Sequence, residues 1–181
     1  MKSIDSSRHT LKNTMRTSTA HAARVGLDFG MTIADMHTKG GLPFQNSLST
    51  IRAIVGRHGP ANVFIVSKAK AATQALILGW LDRYDFYAST GLPRNNVIFV
   101  REYADKREVV DRLGISLFID DSSKVVKCLA DSPSIRRVIW FKGRCELVHQ
   151  LPKAFRNKIV FSKSWNALYK SFSKPRTWGN R

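Results

Sequence analysis

Five polar residues of this chain follow apolar, strand-like runs, and their types suit phosphate chemistry. They are Asp28 and Thr32 after the first run, Ser67 at the end of the second, and the pair Asp120 and Asp121 after a later one. A carboxylate can attack phosphorus and form an acyl phosphate, which splits one difficult hydrolysis into two easier steps. Paired carboxylates can also hold Mg²⁺, which takes hard oxygen ligands. The set therefore favours phosphoryl transfer.

A lysine between these runs completes the set. Lys106 precedes Val109 and Val110 by three and four residues in a segment of helical period, so it lies on the same inward side of the helix as those apolar residues. An ammonium group and a hydroxyl can hold phosphoryl oxygens. The aspartates and Ser67 each have a simpler interpretation when taken alone, as cap or turn residues. Their order on separate strand–helix units favours the phosphoryl-transfer interpretation.

These residues need a scaffold that gathers strand ends. Runs of β-branched and aromatic residues alternate with helical segments, which predicts an α/β fold with a mainly parallel sheet. The predicted strands are ARVGLD, NVFIVS, NVIFV, ISLFID, RRVIWF and KIVF, and the predicted helices are 47–57, 69–84, 105–113, 123–130 and 164–172. The longest predicted irregular segments are 34–46 and 86–96. Because ligands bind outside the carboxyl ends of such strands, all the candidate residues are expected at one edge of the sheet.

The motifs LDFGMT, VFIVS, Lys106 and FIDDS resemble, in order and spacing, the four motifs of the haloacid dehalogenase-like hydrolases, over residues 24–141. The resemblance implies a Rossmann-like three-layer sandwich of a capless or small-capped member. It implies that Asp28 is the nucleophile and a metal ligand, and that Gly30 offers a backbone carbonyl to Mg²⁺. Thr32 would support the loop and help to bind substrate.

The same resemblance implies roles for the later motifs. Ser67 and Lys106 would bind the phosphoryl group and take part in catalysis. Asp121 would complete the Mg²⁺ site, while Asp120 would orient Lys106 or the metal-bound waters. The implied activity is that of a Mg²⁺-dependent phosphatase with an aspartyl-phosphate intermediate.

Gly30 departs from the family pattern, because phosphatases of this family usually carry a second Asp two residues after the nucleophile. That acid protonates the leaving group and later activates water, a contribution worth roughly 10²–10⁴-fold. Three accounts follow from its replacement. The substrate has a good leaving group, another acid such as Asp35 or His37 substitutes, or the protein binds phosphate without turnover.

The chain carries a formal net charge of +17, and no acidic residue follows Glu146. This excess favours a polyanionic partner such as nucleic acid, with a merely solvated basic surface as an equal alternative. We expect a bulky phosphorylated substrate, such as a nucleic-acid end or a phosphoprotein. The alternative function is a catalytically weak protein of the same fold that binds nucleic acid or a larger assembly.

Aromatic residues toward the C-terminus are interleaved with lysine and arginine, as in surfaces that stack bases. Trp165, Tyr169 and Phe172 recur at helical spacing, however, which predicts a terminal helix packed on the sheet. We therefore favour core packing over base stacking for this group.

The organisation predicted for the chain is one α/β domain over 23–172, a disordered basic extension at 1–22 and a basic tail at 173–181. No apolar run is long enough for a membrane helix, which predicts a cytoplasmic protein. An organelle is the alternative if the extension is a transit peptide. Cys128 and Cys145 lack metal-ligand spacing and are expected to be reduced. The sequence does not indicate an oligomeric state.

Overall fold

The structure, a computed structural model, describes residues 23–36 and 41–173. These residues form a six-stranded parallel sheet in the order β3-β2-β1-β4-β5-β6. The strands are β1 (Arg24–Leu27), β2 (Val63–Lys68), β3 (Val97–Val100), β4 (Ile115–Asp120), β5 (Arg137–Phe141) and β6 (Ile159–Ser162). The predicted parallel α/β fold is confirmed.

Helices connect the strands in the described chain. They are α1 (Ser47–His58), α2 (Ala71–Arg83), α3 (Phe86–Thr90), α4 (Asp105–Leu113), α5 (Ser123–Cys128), α6 (Lys153–Arg156) and α7 (Trp165–Phe172), with 3₁₀ turns at Pro60–Asn62, Arg94–Asn96 and Cys145–Gln150. The prediction of an irregular segment over 86–96 is wrong where α3 forms. A helix of five residues is too short to show a helical period in the sequence. At its C-terminal end, Thr90 Oγ1 donates to the Phe86 carbonyl at 2.7 Å.

The helices cover both faces of the sheet, so the predicted three-layer sandwich is confirmed. On one face, α1, α2, α3 and α7 bury side chains that include Ile54, Trp80 and Leu168. On the other, α4, α5 and α6 bury a second group around Phe118. Gly26 of β1 makes room for that ring, because a Cβ at Gly26 would lie 2.4 Å from it.

Helix α7 packs on α1 next to the sheet. Thr50 Oγ1 of α1 donates to the carbonyl of Trp165 at 3.1 Å, deep in the core. The buried residues of α7 are Trp165, Leu168 and Phe172, which share one helical face. The predicted core packing is therefore confirmed for Trp165 and Phe172 and is wrong for Tyr169, which is 41% exposed at the margin of that face.

Several sequence predictions concern residues outside the described chain. The extension at 1–22, the tail at 173–181 apart from Ser173, and His37 all lie there. Within the described residues, no helix combines the length and apolar character needed to cross a membrane. Cys128 and Cys145 are free thiols, as expected.

Candidate metal and phosphate site

A buried lysine joins two carboxylates at the carboxyl edge of the sheet. Lys106 Nζ, from the first turn of α4, donates to Asp28 Oδ1 at 2.6 Å and to Asp120 Oδ2 at 2.8 Å. The helical period turns Lys106 inward with Val110, as predicted, and its side chain is 1% exposed. One cation thus contacts residues from two neighbouring strands.

The parallel topology explains why these acids meet. Asp28 directly follows β1, and its N–H donates to the Ile119 carbonyl of β4 at 2.9 Å, so the ladder between the two central strands continues to this residue. Asp120 ends β4, and its Oδ1 accepts the N–H of Ser122 at 2.8 Å. Both oxygens of Asp120 therefore have partners, since Oδ2 accepts from Lys106.

A third carboxylate completes a group that could hold a metal ion. Asp28, Asp120 and Asp121 each offer an oxygen, and the three atoms lie within 4.8 Å of one another. Thr32 Oγ1 donates to Asp121 Oδ1 at 3.2 Å and links the loop after β1 to the loop after β4. Carboxylate oxygens are the ligands that hard divalent cations prefer, so the donor set fits such an ion.

Burial and charge act against each other in this group. For Lys106, burial lowers the pKa, but the charges of Asp120 and Asp28 raise it by more, so the ammonium stays charged. For Asp120, burial raises the pKa to about 7 despite the opposing charge of Lys106. Burial and the charge of Asp28 also raise the pKa of Asp121. The negative charge of the three carboxylates exceeds the single positive charge of Lys106. A bound cation would reduce that excess.

Two tryptophans hold the loops that carry the site. Trp140 Nε1, at the end of β5, donates to the carbonyl of Asp121 at 3.0 Å. Trp165 Nε1, at the start of α7, donates to the carbonyl of Thr32 at 2.7 Å. The helical spacing predicted core packing for Trp165, but neither indole contact was predicted from the sequence. An indole in the core usually finds a partner for its N–H, but the sequence does not indicate which carbonyl accepts it.

Ser67 lies near the carboxyl end of β2. It is buried in β2, and the register that pairs Leu27 with Ile65 puts it beside the start of the loop after Asp28. Its role in phosphoryl binding remains a prediction.

Gly30 lies in the tight turn that follows Asp28, where the next residue, Met31, has a left-handed backbone with φ 55°. A Cβ at Gly30 would meet no atom within 4 Å. Its predicted carbonyl contact to a metal remains a prediction. Asp35, a candidate substitute acid, follows in the same loop, and its N–H donates to the carbonyl of Leu42 at 3.1 Å.

Comparison with known proteins identifies the fold. No family model and no curated protein matches the chain. Among solved structures, a protein from Burkholderia xenovorans LB400, provisionally described as a haloacid dehalogenase-like hydrolase, aligns with a TM-score of 0.50 at 12% identity. The match covers 74% of this chain and 60% of that one, so this chain corresponds to less than two thirds of its neighbour. At the level of fold, the predicted resemblance to the haloacid dehalogenase-like hydrolases is confirmed.

Proposed function

We propose that this protein is a Mg²⁺-dependent phosphohydrolase in which Asp28 is the nucleophile. The observation that carries the proposal is the buried contact of Lys106 with Asp28 and Asp120, beside the carboxylate of Asp121. A buried lysine between acids has a structural alternative as a core ion pair. Three acids at the carboxyl edge of a parallel sheet exceed what one core ion pair needs, and that favours the catalytic interpretation.

The proposed reaction has two steps. A carboxylate oxygen of Asp28 attacks phosphorus, and the bond from phosphorus to the leaving oxygen breaks, with the electron pair departing on that oxygen. Water then attacks the phosphorus of the aspartyl phosphate, the bond to Asp28 breaks, and inorganic phosphate leaves. Lys106 would hold a phosphoryl oxygen and Ser67 would donate a second contact.

The metal would be held by Asp28 and Asp121, with the Gly30 carbonyl as a further ligand. When bound, Mg²⁺ would neutralise charge between the nucleophile and the phosphoryl group. Asp120 would orient Lys106, since its two oxygens already contact Lys106 and the Ser122 N–H. Thr32 would keep Asp121 in place through its hydroxyl.

The first experiment measures phosphate release from an activated aryl phosphate with and without Mg²⁺. Asp28→Asn should abolish release while the circular dichroism spectrum stays unchanged, and Asp131→Asn, at an exposed acid, is the matched control. Hydroxylamine added during turnover should convert the acyl phosphate into a hydroxamate at Asp28, which mass spectrometry locates.

Turnover that survives Asp28→Asn would contradict the mechanism. An absence of turnover on aryl, acyl and nucleotide phosphates would favour the second candidate, a protein of this fold that binds phosphate or nucleic acid without hydrolysis. Gly30 is the observation in favour of that candidate, because it removes the usual proton donor.

A further inference from the structure

A second group of cations lies at the edge of the sheet that carries the proposed phosphate site. The ammonium of Lys68 lies 4.3 Å from the ring centroid of Tyr103, and that of Lys124 lies 5.7 Å from the same centroid. Lys68 is the last residue of β2, Tyr103 lies between β3 and α4, and Lys124 is in the first turn of α5, so all three lie toward the carboxyl edge of the sheet. An aromatic ring attracts cations to its faces, and the Tyr103 ring has two within about 6 Å of its centroid.

Each member of this group is close in sequence to a residue of the site. Lys68 directly follows Ser67, and Lys124 comes three residues after Asp121. The N–H of Lys106 donates to the carbonyl of Tyr103 at 3.3 Å. The second cation group therefore belongs to the same edge of the sheet as the proposed site, at the ends of β2 and β4.

The cations keep access to a ligand. The side chain of Lys68 is 30% exposed, and its ion pair with Glu102 Oε2 is long, at 3.5 Å, and open to solvent because the Glu102 side chain is 69% exposed. Such an exposed pair contributes little to stability, so an anion of higher charge could displace the carboxylate. Lys70 and Arg101, both exposed, follow the paired ends of β2 and β3 and extend the positive surface.

The missing proton donor and the second cation group have one chemical explanation. When an alkyl phosphate is cleaved, its leaving group departs as an alkoxide. That alkoxide needs a proton, which Gly30 cannot supply. When a phosphoanhydride is cleaved, the leaving group is a phosphate. This anion is stable without a proton, and it needs cations nearby to neutralise its charge. Resting on the proposed function, we infer that the substrate is a phosphoanhydride whose leaving phosphate is held by Lys68 and Lys124.

The step balances without an acid. Asp28 attacks the terminal phosphorus, the bond to the bridging oxygen breaks, and the electron pair stays on the departing phosphate between the two ammonium groups. Water then hydrolyses the aspartyl phosphate and releases its proton to solvent. Inorganic pyrophosphate, nucleoside diphosphates and nucleic acids with a 5′-diphosphate all carry this bond, and the experiment must distinguish them.

Binding tests the inference independently of turnover. Methylenediphosphonate has a P–C–P bridge that cannot be cleaved, and methylphosphonate lacks the second phosphate. Calorimetry with Asp28→Asn protein should show that the diphosphonate binds tighter by about 10-fold or more, as expected for an added charge-assisted contact. Lys68→Met with Lys124→Met should remove this preference. Lys158→Met is the matched control, since Lys158 also lies by a ring, 5.8 Å from the centroid of Phe155, but at the opposite edge.

Kinetics give the second readout. The wild type should hydrolyse phosphoanhydrides in preference to alkyl monoesters, and the double lysine variant should lose anhydride turnover while keeping that of an aryl phosphate. Glu102→Gln removes the competing carboxylate. It should lower KM for the phosphoanhydride and leave KM for the aryl phosphate unchanged. The anhydride with the lowest KM identifies the natural source.

Two results would overturn the inference. One is equal affinity of the Asp28→Asn protein, with Lys68 and Lys124 unchanged, for methylenediphosphonate and methylphosphonate. The other is an unchanged anhydride rate in the double lysine variant. Either result, combined with Asp28-dependent hydrolysis of the aryl phosphate, would reject the phosphoanhydride and leave the proposed function standing. Absence of aryl phosphate hydrolysis in the wild type would count against the proposed function itself.

Discussion

Trp165 donates its indole N–H to the carbonyl of Thr32 at 2.7 Å, across 133 residues of sequence. The contact ties the first residue of α7 to the loop that follows the proposed nucleophile. Thr32 in turn donates its hydroxyl to Asp121. Because Trp140 holds the carbonyl of Asp121, both loops of the site depend on indoles from the C-terminal part of the fold.

Trp165→Phe should weaken the site through this contact. The ring volume is largely kept, but the buried Thr32 carbonyl loses its donor, which should cost about 1–3 kcal/mol of stability by urea unfolding. If Thr32 also moves, Mg²⁺ affinity and kcat should fall together. Tyr169→Phe, at an exposed position of the same helix, serves as the control. A loss of stability with unchanged Mg²⁺ affinity would show that Trp165 only anchors α7.

Lys106→Met should destabilise the metal-free protein strongly. The substitution leaves Asp28 and Asp120 buried without their shared cation, and breaking a buried ion pair in this way costs about 3–5 kcal/mol. Urea unfolding in EDTA measures the loss. Adding Asp120→Asn to Lys106→Met should recover much of it, because one uncompensated charge is removed. Strictly additive effects of the two substitutions would contradict this coupling.

The stability of the metal-free protein should fall as the pH rises. Burial raises the pKa of Asp120 from 3.8 to about 7 and also raises that of Asp121, so both carboxyls bind a proton more tightly in the folded chain than in the unfolded chain. Their contribution to stability is complete below about pH 4 and is lost as the pH rises through about 7. The raised pKa of Lys106 keeps that group charged throughout.

Thermal unfolding in EDTA should be measured at pH 5 and at pH 8, on either side of the raised Asp120 pKa of about 7. We expect Tm to be several degrees lower at pH 8. In a chain of this size about 1 kcal/mol shifts Tm by about 2–4 °C. Mg²⁺ should reverse the fall, since a cation stabilises the ionised carboxylates. Asp120→Asn is the control for titrating groups elsewhere, and an equal slope in that variant would assign the effect to those groups.

The sequence predicted those parts of the site that depend on local periodicity and parallel topology. Asp28 follows β1 and Asp120 ends β4, and the strand pattern predicted that both lie at one edge of a parallel sheet. Lys106 lies inward because the helical period puts it with Val110. Asp105 lies inside the first turn of α4, and its Oδ2 accepts the Glu102 N–H.

Contacts between distant segments were not predictable in the same way. An indole such as Trp140 packs in the core whether or not its N–H reaches a loop of the site, so its spacing carries no signal for that contact. Tyr103 meets Lys68 and Lys124 only once the ends of β2 and β3 and the start of α5 come together at one edge of the sheet. The one local hint is that Tyr103 comes three residues before Lys106.

Gly30→Asp should restore the proton donor that the chain lacks. A Cβ fits at this position without contact within 4 Å, and Gly30 is not among the glycines with positive φ, so the substitution should be tolerated. The new carboxyl would lie two residues after Asp28 and could protonate an alkoxide leaving group. Hydrolysis of alkyl phosphate monoesters should then rise, with an upper range of roughly 10²–10⁴-fold.

The comparison among substrates makes this experiment decisive. Hydrolysis of phosphoanhydrides should change little in Gly30→Asp, because their leaving phosphate needs no proton, so the preference for anhydrides over monoesters should narrow. Gly30→Asn has a side chain of the same size that cannot exchange a proton, and it should leave monoester rates unchanged. An equal gain in both variants would mean that the side chain acts by reshaping the loop. No gain in either would mean that protonation of the leaving group is already supplied, and Asp35→Asn would then test the nearest acid of the loop.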